Sequence, residues 1–298
     1  MSFTLYFAGS NGPEFDTLMR DMGCDRLFSQ LNDRKHINNF IDTGKHANLF
    51  IDSGAYSVKH SGKTVTLDGY IDYINQIGED VTCFANLDVI PKTRDLHELN
   101  ECANAGFENF MYIQQHCKYA DKCMAIMHIG ESQNILYRYI EYFKQHPQLK
   151  FFGLGGVAQL DSESSMRHAI KFCNTIKSQI PYAQVHLFGY TRLNELKYIN
   201  CDSVDSTTWI KASIYGTVLT PWGRLNISDR RSGAKDSVHN YDTMSRDVVY
   251  KFIEDLGFTV NEIKNDSKRR TEYNLRYLMR FAQEYKYTPH KTTKKSII

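Results

Sequence analysis

The chain has 298 residues, a formal net charge of +2 and 23% charged side chains, a length that one α/β barrel can fill. Hydrophobic residues make up 42% of the sequence, so a packed core is expected. The small net charge does not by itself indicate nucleic-acid binding. Because no apolar run approaches about 18 residues and the N-terminus carries no apolar leader, we expect neither a membrane span nor secretion, and we predict a cytoplasmic protein.

Short apolar or β-branched runs predict eight strands that alternate with helical segments. The alternation indicates a parallel sheet with right-handed crossovers, and eight repeats favour a (β/α)8 barrel, the TIM barrel. A doubly wound open sheet is the alternative, although its Gly-x-Gly-x-x-Gly motif is absent. The predicted strands are Phe3–Phe7, Asn48–Asp52, Val81–Leu87, Phe110–Ile113, Met124–His128, Phe151–Leu154, Gln184–Phe188 and Ser203–Asp205.

Helical spacing fills most of the segments between these strands. The first helix follows Pro13 and continues in pattern to Leu27. Thr66 and Ser132 are placed to cap two further helices, the second of which should end at Pro147.

Beyond about residue 236 the pattern changes to two amphipathic helices, one over Met244 to Leu256 and one over Leu275 to Ala282. The segment Asn265–Arg270 is interpreted as a mobile basic loop. We therefore predict a catalytic barrel over residues 1–235 and a C-terminal helical extension with a basic tail over residues 236–298.

Three aspartates stand at the ends of strand-like segments: Asp52 in IDSGAYS, Asp88 in FANLDVIP and Asp205 in CDSVDSTTW. Residues at the C-terminal ends of barrel strands point into one mouth. Grouped carboxylates suggest chemistry on a glycosidic bond, in which an aspartate can be a covalent nucleophile. For each residue a structural role stays open: an Asx turn for Asp52, a helix cap or buried ion pair for Asp88, and a strand-end cap for Asp205.

Four other kinds of residue can contribute to a ligand site. Gly155 and Gly156 in GLGGVA let a flat ligand approach the backbone, although such a pair more often forms a turn. Tyr56 and Phe188 can stack on a planar base, although lone aromatic residues more often belong to the core. His128 can bond to a ligand or be a satisfied core histidine.

Seven scattered cysteines without a Cys-x-x-Cys pair argue against a zinc ribbon and are typical of free thiols. Basic residues concentrate in the last third of the chain, where a phosphate backbone would favour them. A solvated surface is the equally weighted alternative. These clusters are Arg224, Arg230, Arg231 and Lys235, then Lys268 to Arg270, and the lysines of the tail.

In this order the motifs resemble those of the tRNA-guanine transglycosylase superfamily. DSGAYS is similar to its DSGGF segment, and LDVIP to its second aspartate segment. IMHIG lies at its glutamine-glycine motif, and GLGGVA is similar to GGLAVGE. HLFGY resembles YLMGVG, DSVDSTTW shares the spacing around its nucleophile, and WGRLNISDRR is similar to its LNIRN segment. The resemblance spans residues 48 to 232.

The resemblance implies a barrel enzyme that exchanges guanine for a 7-deazaguanine in a nucleic acid. By position, Asp205 would be the nucleophile and Asp52 the general acid and base. His128 stands where the family has a base-binding glutamine, and Lys211 where it tends to have arginine. The implied substrate-binding residues are Asp88, Ser53, Tyr56, His128, Gly155, Gly156 and Phe188. The implied nucleic-acid-binding residues are Lys211, Arg224, Arg230 and Arg231.

Two departures from the family pattern narrow the expected substrate. The cysteine and histidine zinc cluster is missing, and so is the C-terminal RNA-binding domain of archaeal members. A short form without zinc is more similar to the DpdA-type DNA guanine transglycosylases of bacteria and their viruses, which act in the host cytoplasm in the viral case. We therefore expect DNA as partner, a 7-deazaguanine such as the 7-cyano compound as co-substrate, and no zinc or other cofactor.

Three alternatives stay open at this point. The same chemistry can act on tRNA, or the chain can be a non-catalytic subunit that only binds nucleic acid. An unrelated barrel hydrolase with carboxylates around a metal is the third, although no His-x-His or His-Glu-x-x-His motif occurs. An accessory protein or a second copy of the chain also stays open as a partner.

Overall fold

The structure, a computed structural model, describes residues 3–10, 12–31, 33–44, 47–55, 57–58, 64–93, 95–228, 238–240 and 246–288. Eight parallel strands close into a barrel in chain order, and β8 pairs back onto β1 with Asp205 opposite Tyr6. The predicted (β/α)8 fold is therefore confirmed. The strands are β1 Thr4–Ala8, β2 Arg26–Ser29, β3 Leu49–Asp52, β4 Cys83–Ala85, β5 Cys123–His128, β6 Phe151–Gly155, β7 Gln184–Leu187 and β8 Ser203–Ser206.

Four of the barrel helices begin where a polar side chain caps free backbone N–H groups. Thr66 accepts from the N–H of Gly69, and Ser132 accepts from that of Asn134, so both predicted caps are confirmed. Short 3₁₀ helices span Ala120–Lys122 and Val157–Gln159. The barrel helices are α1 Pro13–Asp21, α2 Arg34–Asp42, α3 Leu67–Ile77, α4 Leu96–His116, α5 Gln133–Gln145, α6 Ser162–Gln179, α7 Leu193–Leu196 and α8 Thr208–Ile214.

The segment Phe110–Ile113, predicted as a strand, lies instead within helix α4. Asp95 caps this helix by accepting from two backbone N–H groups. Ala103, Phe107 and Phe110 are all buried on it, and their spacing of four and three residues is that of a helix face. The apolar run at Phe110 is thus one part of a longer helical stripe.

Strand β2 was not predicted from the sequence. It begins within the segment in which the first helix was predicted to continue to Leu27. Helix α1 ends at Asp21, and the strand begins at Arg26. Arg26 is 2% exposed, pairs with Asp16 at 3.0 Å and donates to the carbonyl of Gly9. A buried charge in a four-residue strand hides the apolar signal that strand prediction depends on.

Side chains alternate between two apolar layers along each strand. On β1, Tyr6 and Ala8 face the barrel interior, whereas Leu5 and Phe7 pack in the layer beneath the helices. The interior is filled by side chains and is a packed core. The C-terminal ends of the strands therefore form the floor of any binding site at the mouth of the barrel.

A second sheet follows the barrel, with β9 Thr217–Thr220, β10 Gly223–Asn226 and β11 Val238–Asn240 in the order β11-β10-β9. It joins residues on both sides of position 235. Helix α11 packs against it, and Asn274 bonds to the backbone of Leu219 and Thr217. The C-terminal helices are α9 Arg246–Glu254, α10 Val260–Asn265 and α11 Ser267–Glu284.

The prediction of a mobile basic loop at Asn265–Arg270 is wrong. Asp266 ends α10 and caps α11, so the basic residues form the first turn of a helix. Arg270 is 5% exposed and donates to the carbonyls of Ser213 and Ile263. It is a structural residue that joins α11 to the end of α8. None of the described helices combines the length and apolar character needed to cross a bilayer.

Candidate functional site at the mouth of the barrel

A cavity of about 1100 Å³ opens at the C-terminal ends of the strands. The two-residue period of the strands explains which side chains reach it. Phe50 of β3 faces the interior, so Asp52 does too; Val204 of β8 faces the helices, so Asp205 turns inward. Seven of the predicted site residues line this one cavity: Asp52, Asp88, His128, Gly155, Gly156, Phe188 and Asp205.

Asp52 ends β3 in the predicted Asx turn, because its Oδ2 accepts from the N–H of Gly54 at 3.0 Å. Gly54 has φ +82°, which a side chain would disfavour. The turn therefore fixes the carboxyl group at the cavity wall. The structural and the chemical interpretations of Asp52 are compatible.

Burial raises the pKa of Asp52 to about 7, and the charges of Asp88 and Asp205 add to the rise. The hydrogen bond from Gly54 opposes it. A carboxyl group with this pKa is present in both protonation states near neutral pH. It can therefore donate a proton in one step and accept one in the next.

Asp88 lies beyond β4 and is held by two side-chain donors. Ser53 Oγ donates to its Oδ1 at 3.0 Å, and His128 Nε2 lies 2.7 Å from its Oδ2. Ser53 is fully buried and does not line the cavity, so its contact with the site passes through Asp88. Each carboxylate oxygen has a second acceptor position, so Asp88 can still bind the N–H edge of a base.

His128 ends β5, and its backbone N–H donates to Glu131 Oε2 at 2.8 Å. Burial raises the pKa of Glu131 to about 7, although the neighbouring His128 lowers it. Glu131 was not predicted as a site residue. Its only sequence signal is its place one residue after Gly130, whose φ of +95° makes the turn that returns the chain to His128.

Asp205 accepts a 2.7 Å hydrogen bond from the N–H of Gly189, and the buried His186 Nε2 lies 3.3 Å from the same oxygen. Asp202 instead bonds to Lys177 and to the N–H of Val185 on the helix side of the strand. The prediction that the two aspartates face opposite sides is confirmed. Only Asp205 lines the cavity.

The absence of a side chain at Gly155 provides space for the ring of His128. A Cβ atom at this position would lie 2.6 Å from His128 Nδ1. The Gly155 carbonyl accepts from the N–H of Ile129, and Gly156 follows with φ +85°. The pair thus forms a turn as well as part of the cavity wall.

Phe188 belongs both to the core and to the cavity. Its ring packs edge-on against His186, with centroids 4.6 Å apart, and a Cβ atom on Gly153 would lie 2.7 Å from its Cε2. It also lines the cavity. A planar ligand can therefore contact a side chain that the core holds in place.

The predicted nucleic-acid contacts lie apart from the cavity or outside the described residues. Lys211 is exposed on α8 and does not line the cavity, and Arg224 lines a smaller neighbouring cavity. Tyr56, Arg230 and Arg231 lie outside the described residues. Among the residues that the structure describes, no group of three or more His, Cys, Asp or Glu side chains is placed to hold a metal ion.

Comparison of the sequence with models of known protein families gave no match, and comparison with curated proteins also gave none. The cavity and the order of the sequence motifs are therefore the features of this protein that bear on its function.

The raised pKa of Asp52 predicts a pH-dependent stability. An unfolded aspartate has a pKa of about 3.9, so between about pH 4 and pH 7 the folded protein holds a proton that the unfolded chain has lost. The free energy of unfolding should fall as pH rises through this window, by at most about 1.4 kcal/mol per pH unit. Asp52→Asn should lack this contribution.

The measurement is urea unfolding of both proteins from pH 4 to pH 8. Glu131 is present in both, so its own titration cancels in the difference. Stability curves of the two proteins that run parallel across the window would contradict the assigned pKa.

Gly155→Ala should displace His128, because the new Cβ atom would lie far inside contact distance of its ring. A crystal structure of the variant should show the bond between His128 Nε2 and Asp88 Oδ2 broken. Gly106→Ala is the control, since no heavy atom outside its own helix lies within 4 Å of that Cβ position. A bond that keeps its 2.7 Å length in Gly155→Ala would refute the packing role of Gly155.

Proposed function

We propose that the protein is a base-exchange glycosyltransferase that replaces guanine in DNA with a 7-deazaguanine, such as the 7-cyano compound. The observation that carries the proposal is the convergence of Asp52, Asp88 and Asp205 on one cavity. The three acids come from separate strand ends and match, in order, the motifs that resemble the guanine transglycosylases.

In the first half-reaction the Asp205 carboxylate attacks C1′ of the target nucleotide from the face opposite the base. The bond between C1′ and N9 breaks, and its electron pair leaves with guanine. Asp52, with a pKa of about 7, supplies the proton that neutralises the departing base. A covalent glycosyl ester on Asp205 results.

In the second half-reaction the 7-deazaguanine occupies the position that guanine has left. Asp52, now a carboxylate, takes the N9 proton, and N9 attacks C1′. The ester bond breaks and Asp205 leaves as a carboxylate. Two inversions restore the original configuration at C1′, as in retaining glycosidases.

Asp88 and His128 are the residues that select the base. An ionised Asp88 accepts from the ring N–H and amino groups of a guanine-like edge, while His128 and Ser53 hold it in place. Phe188 offers an apolar surface to the face of the ring. The same edge occurs in guanine and in 7-deazaguanines, so one pocket serves both half-reactions.

The target nucleotide has to leave the base stack before its C1′ can meet a carboxylate at the floor of the cavity. Unstacking costs about a few kcal/mol, which stacking in the pocket and phosphate contacts offset. DNA is proposed rather than tRNA because the cysteine and histidine pattern of the zinc cluster in the tRNA enzymes does not occur among these residues. The exchange chemistry itself is the same on either polymer.

The test is incorporation of a labelled 7-deazaguanine into DNA and into tRNA, assayed in parallel by mass spectrometry of the nucleosides. We expect incorporation into DNA, its loss in Asp205→Asn, and a decrease of about 10²- to 10⁴-fold in Asp52→Asn. Asp202→Asn is the matched control. Asp202 precedes Asp205 by three residues, and its side chain lies on the helix side of the barrel, where it bonds to Lys177. Full activity in Asp205→Asn would refute the mechanism, and incorporation into tRNA alone would refute the choice of polymer.

A further inference from the structure

A second cavity of about 440 Å³ lies next to the site, between the segment after β7 and the β9–β10 hairpin. It shares Ala158 and Gly189 with the larger cavity, so the two cavities adjoin at these residues. Two arginines, Arg192 and Arg224, line it. We call this smaller cavity the arginine groove.

The boundary between the two cavities is formed by small residues. Gly189 has φ +63°, and a Cβ atom on it would lie 3.4 Å from the Cβ of Ala158. The N–H of Gly189 donates to Asp205. A residue that lines the arginine groove is therefore in direct contact with the proposed nucleophile.

Contacts with neighbouring residues position both arginines. Arg192 donates to the carbonyl of Leu160 at 2.6 Å, and its guanidinium lies 5.9 Å from the centroid of the Tyr190 ring. Arg224 belongs to β10, whose hairpin is closed by a bond from Thr220 Oγ1 to the carbonyl of Gly223. Neither arginine forms an ion pair within the described part of the chain.

Among the residues that the structure describes, Glu195 is the one acid that lines the arginine groove, and it is bonded to neutral donors. The hydroxyl groups of Tyr190 and Ser162 both donate to it. Counted over its described lining residues, the groove has two guanidinium groups and one carboxylate, which give a net positive charge. Threonines at positions 191, 208 and 220 add polar side chains.

We propose that the arginine groove binds the phosphodiester of the nucleotide next to the target, so that the strand passes from the main cavity across Ala158 and Gly189. Guanidinium groups suit phosphate because two N–H groups can bond to two oxygens at once. The inference rests on the proposed function and deepens it. It makes the substrate a nucleic-acid strand rather than a free nucleoside, and it assigns the phosphate contact to Arg192 and Arg224 rather than to Lys211.

The first test is binding of a fluorescent single-stranded guanine-containing oligonucleotide by anisotropy, over a range of salt concentrations and in an Asp205→Asn background to prevent turnover. Loss of one phosphate contact lowers the slope of log affinity against log salt by about 0.7 on a single strand. We expect this change in Arg224→Gln and its partial recovery in Arg224→Lys. Arg20→Gln, on the last turn of α1 at the opposite end of the barrel, should leave the slope unchanged.

The second test places a larger side chain between the two cavities with Ala158→Leu, a change at an exposed position. Oligonucleotide affinity should fall at least tenfold. Because Ala158 also lines the main cavity, affinity for the free 7-deazaguanine base is measured in parallel by calorimetry and should fall by less. Arg224→Gln should leave affinity for the free base unchanged. Its effect on deoxyguanosine monophosphate should be smaller than its effect on the strand.

An unaltered salt slope in Arg224→Gln, full oligonucleotide affinity in Ala158→Leu, or no strand binding by the parent protein would each overturn the proposal. An effect on the monophosphate as large as that on the strand would also overturn it, because the groove would then serve a free nucleotide. If the parent protein exchanges bases but the salt slope is unaltered in Arg224→Gln, the proposed enzyme function is retained and only the proposed role of the arginine groove is refuted. Binding through Arg224 without any exchange refutes the enzyme assignment alone.

Discussion

Three carboxyl groups share one cavity, and their mutual repulsion sets the condition that the surrounding residues have to meet. Like charges in a site of low dielectric cannot all be ionised without partners. Asp205 receives a backbone N–H, and Asp88 receives a hydroxyl and an imidazole. Asp52 receives one backbone N–H and remains the acid whose pKa is raised to about 7. This division separates the proton carrier from the other two acids, and the proposed mechanism depends on it.

Closure of the barrel is what brings these groups together. β8 pairs with β1, and each strand places alternate side chains inward, so that the acids from β3 and β8 meet although about 150 residues separate them in the chain. The barrel interior beneath the acids is filled by apolar side chains, so the carboxyl groups have no space to move inward. Gly189 and Ala158 line both cavities and therefore lie between the acids and the arginine groove.

The fold could be predicted from the sequence because seven of the eight strands carry a clear apolar signal. The missing strand was hidden by Arg26, whose charge is compensated by Asp16, a partner that no local pattern reveals. The false strand at Phe110 arose because a short apolar run has no period of its own until the helix around it is recognised. The count of eight was therefore correct only because one false strand and one missed strand cancel.

The acids of the site could be predicted because they follow apolar strands, and a barrel directs such ends into one mouth. Their partners could not, since the bonds of Ser53 and His128 to Asp88 join residues about 35 and 40 positions apart. Gly155 was expected to admit a ligand, and its local sequence gave no sign that a histidine ring lies against it. The groove with Arg192 was missed because charge clustering along the chain favoured the run at Arg230 and Arg231 instead.

The most direct test of the account is to locate the covalent intermediate. The protein would be mixed with a guanine-containing oligonucleotide in the absence of a 7-deazaguanine, quenched in acid and digested, and the modified peptide identified by mass spectrometry. The account predicts a deoxyribose-linked strand on the carboxyl group of Asp205. A linkage to Asp52 or Glu131, or active base exchange with no covalent species at any residue, would contradict it.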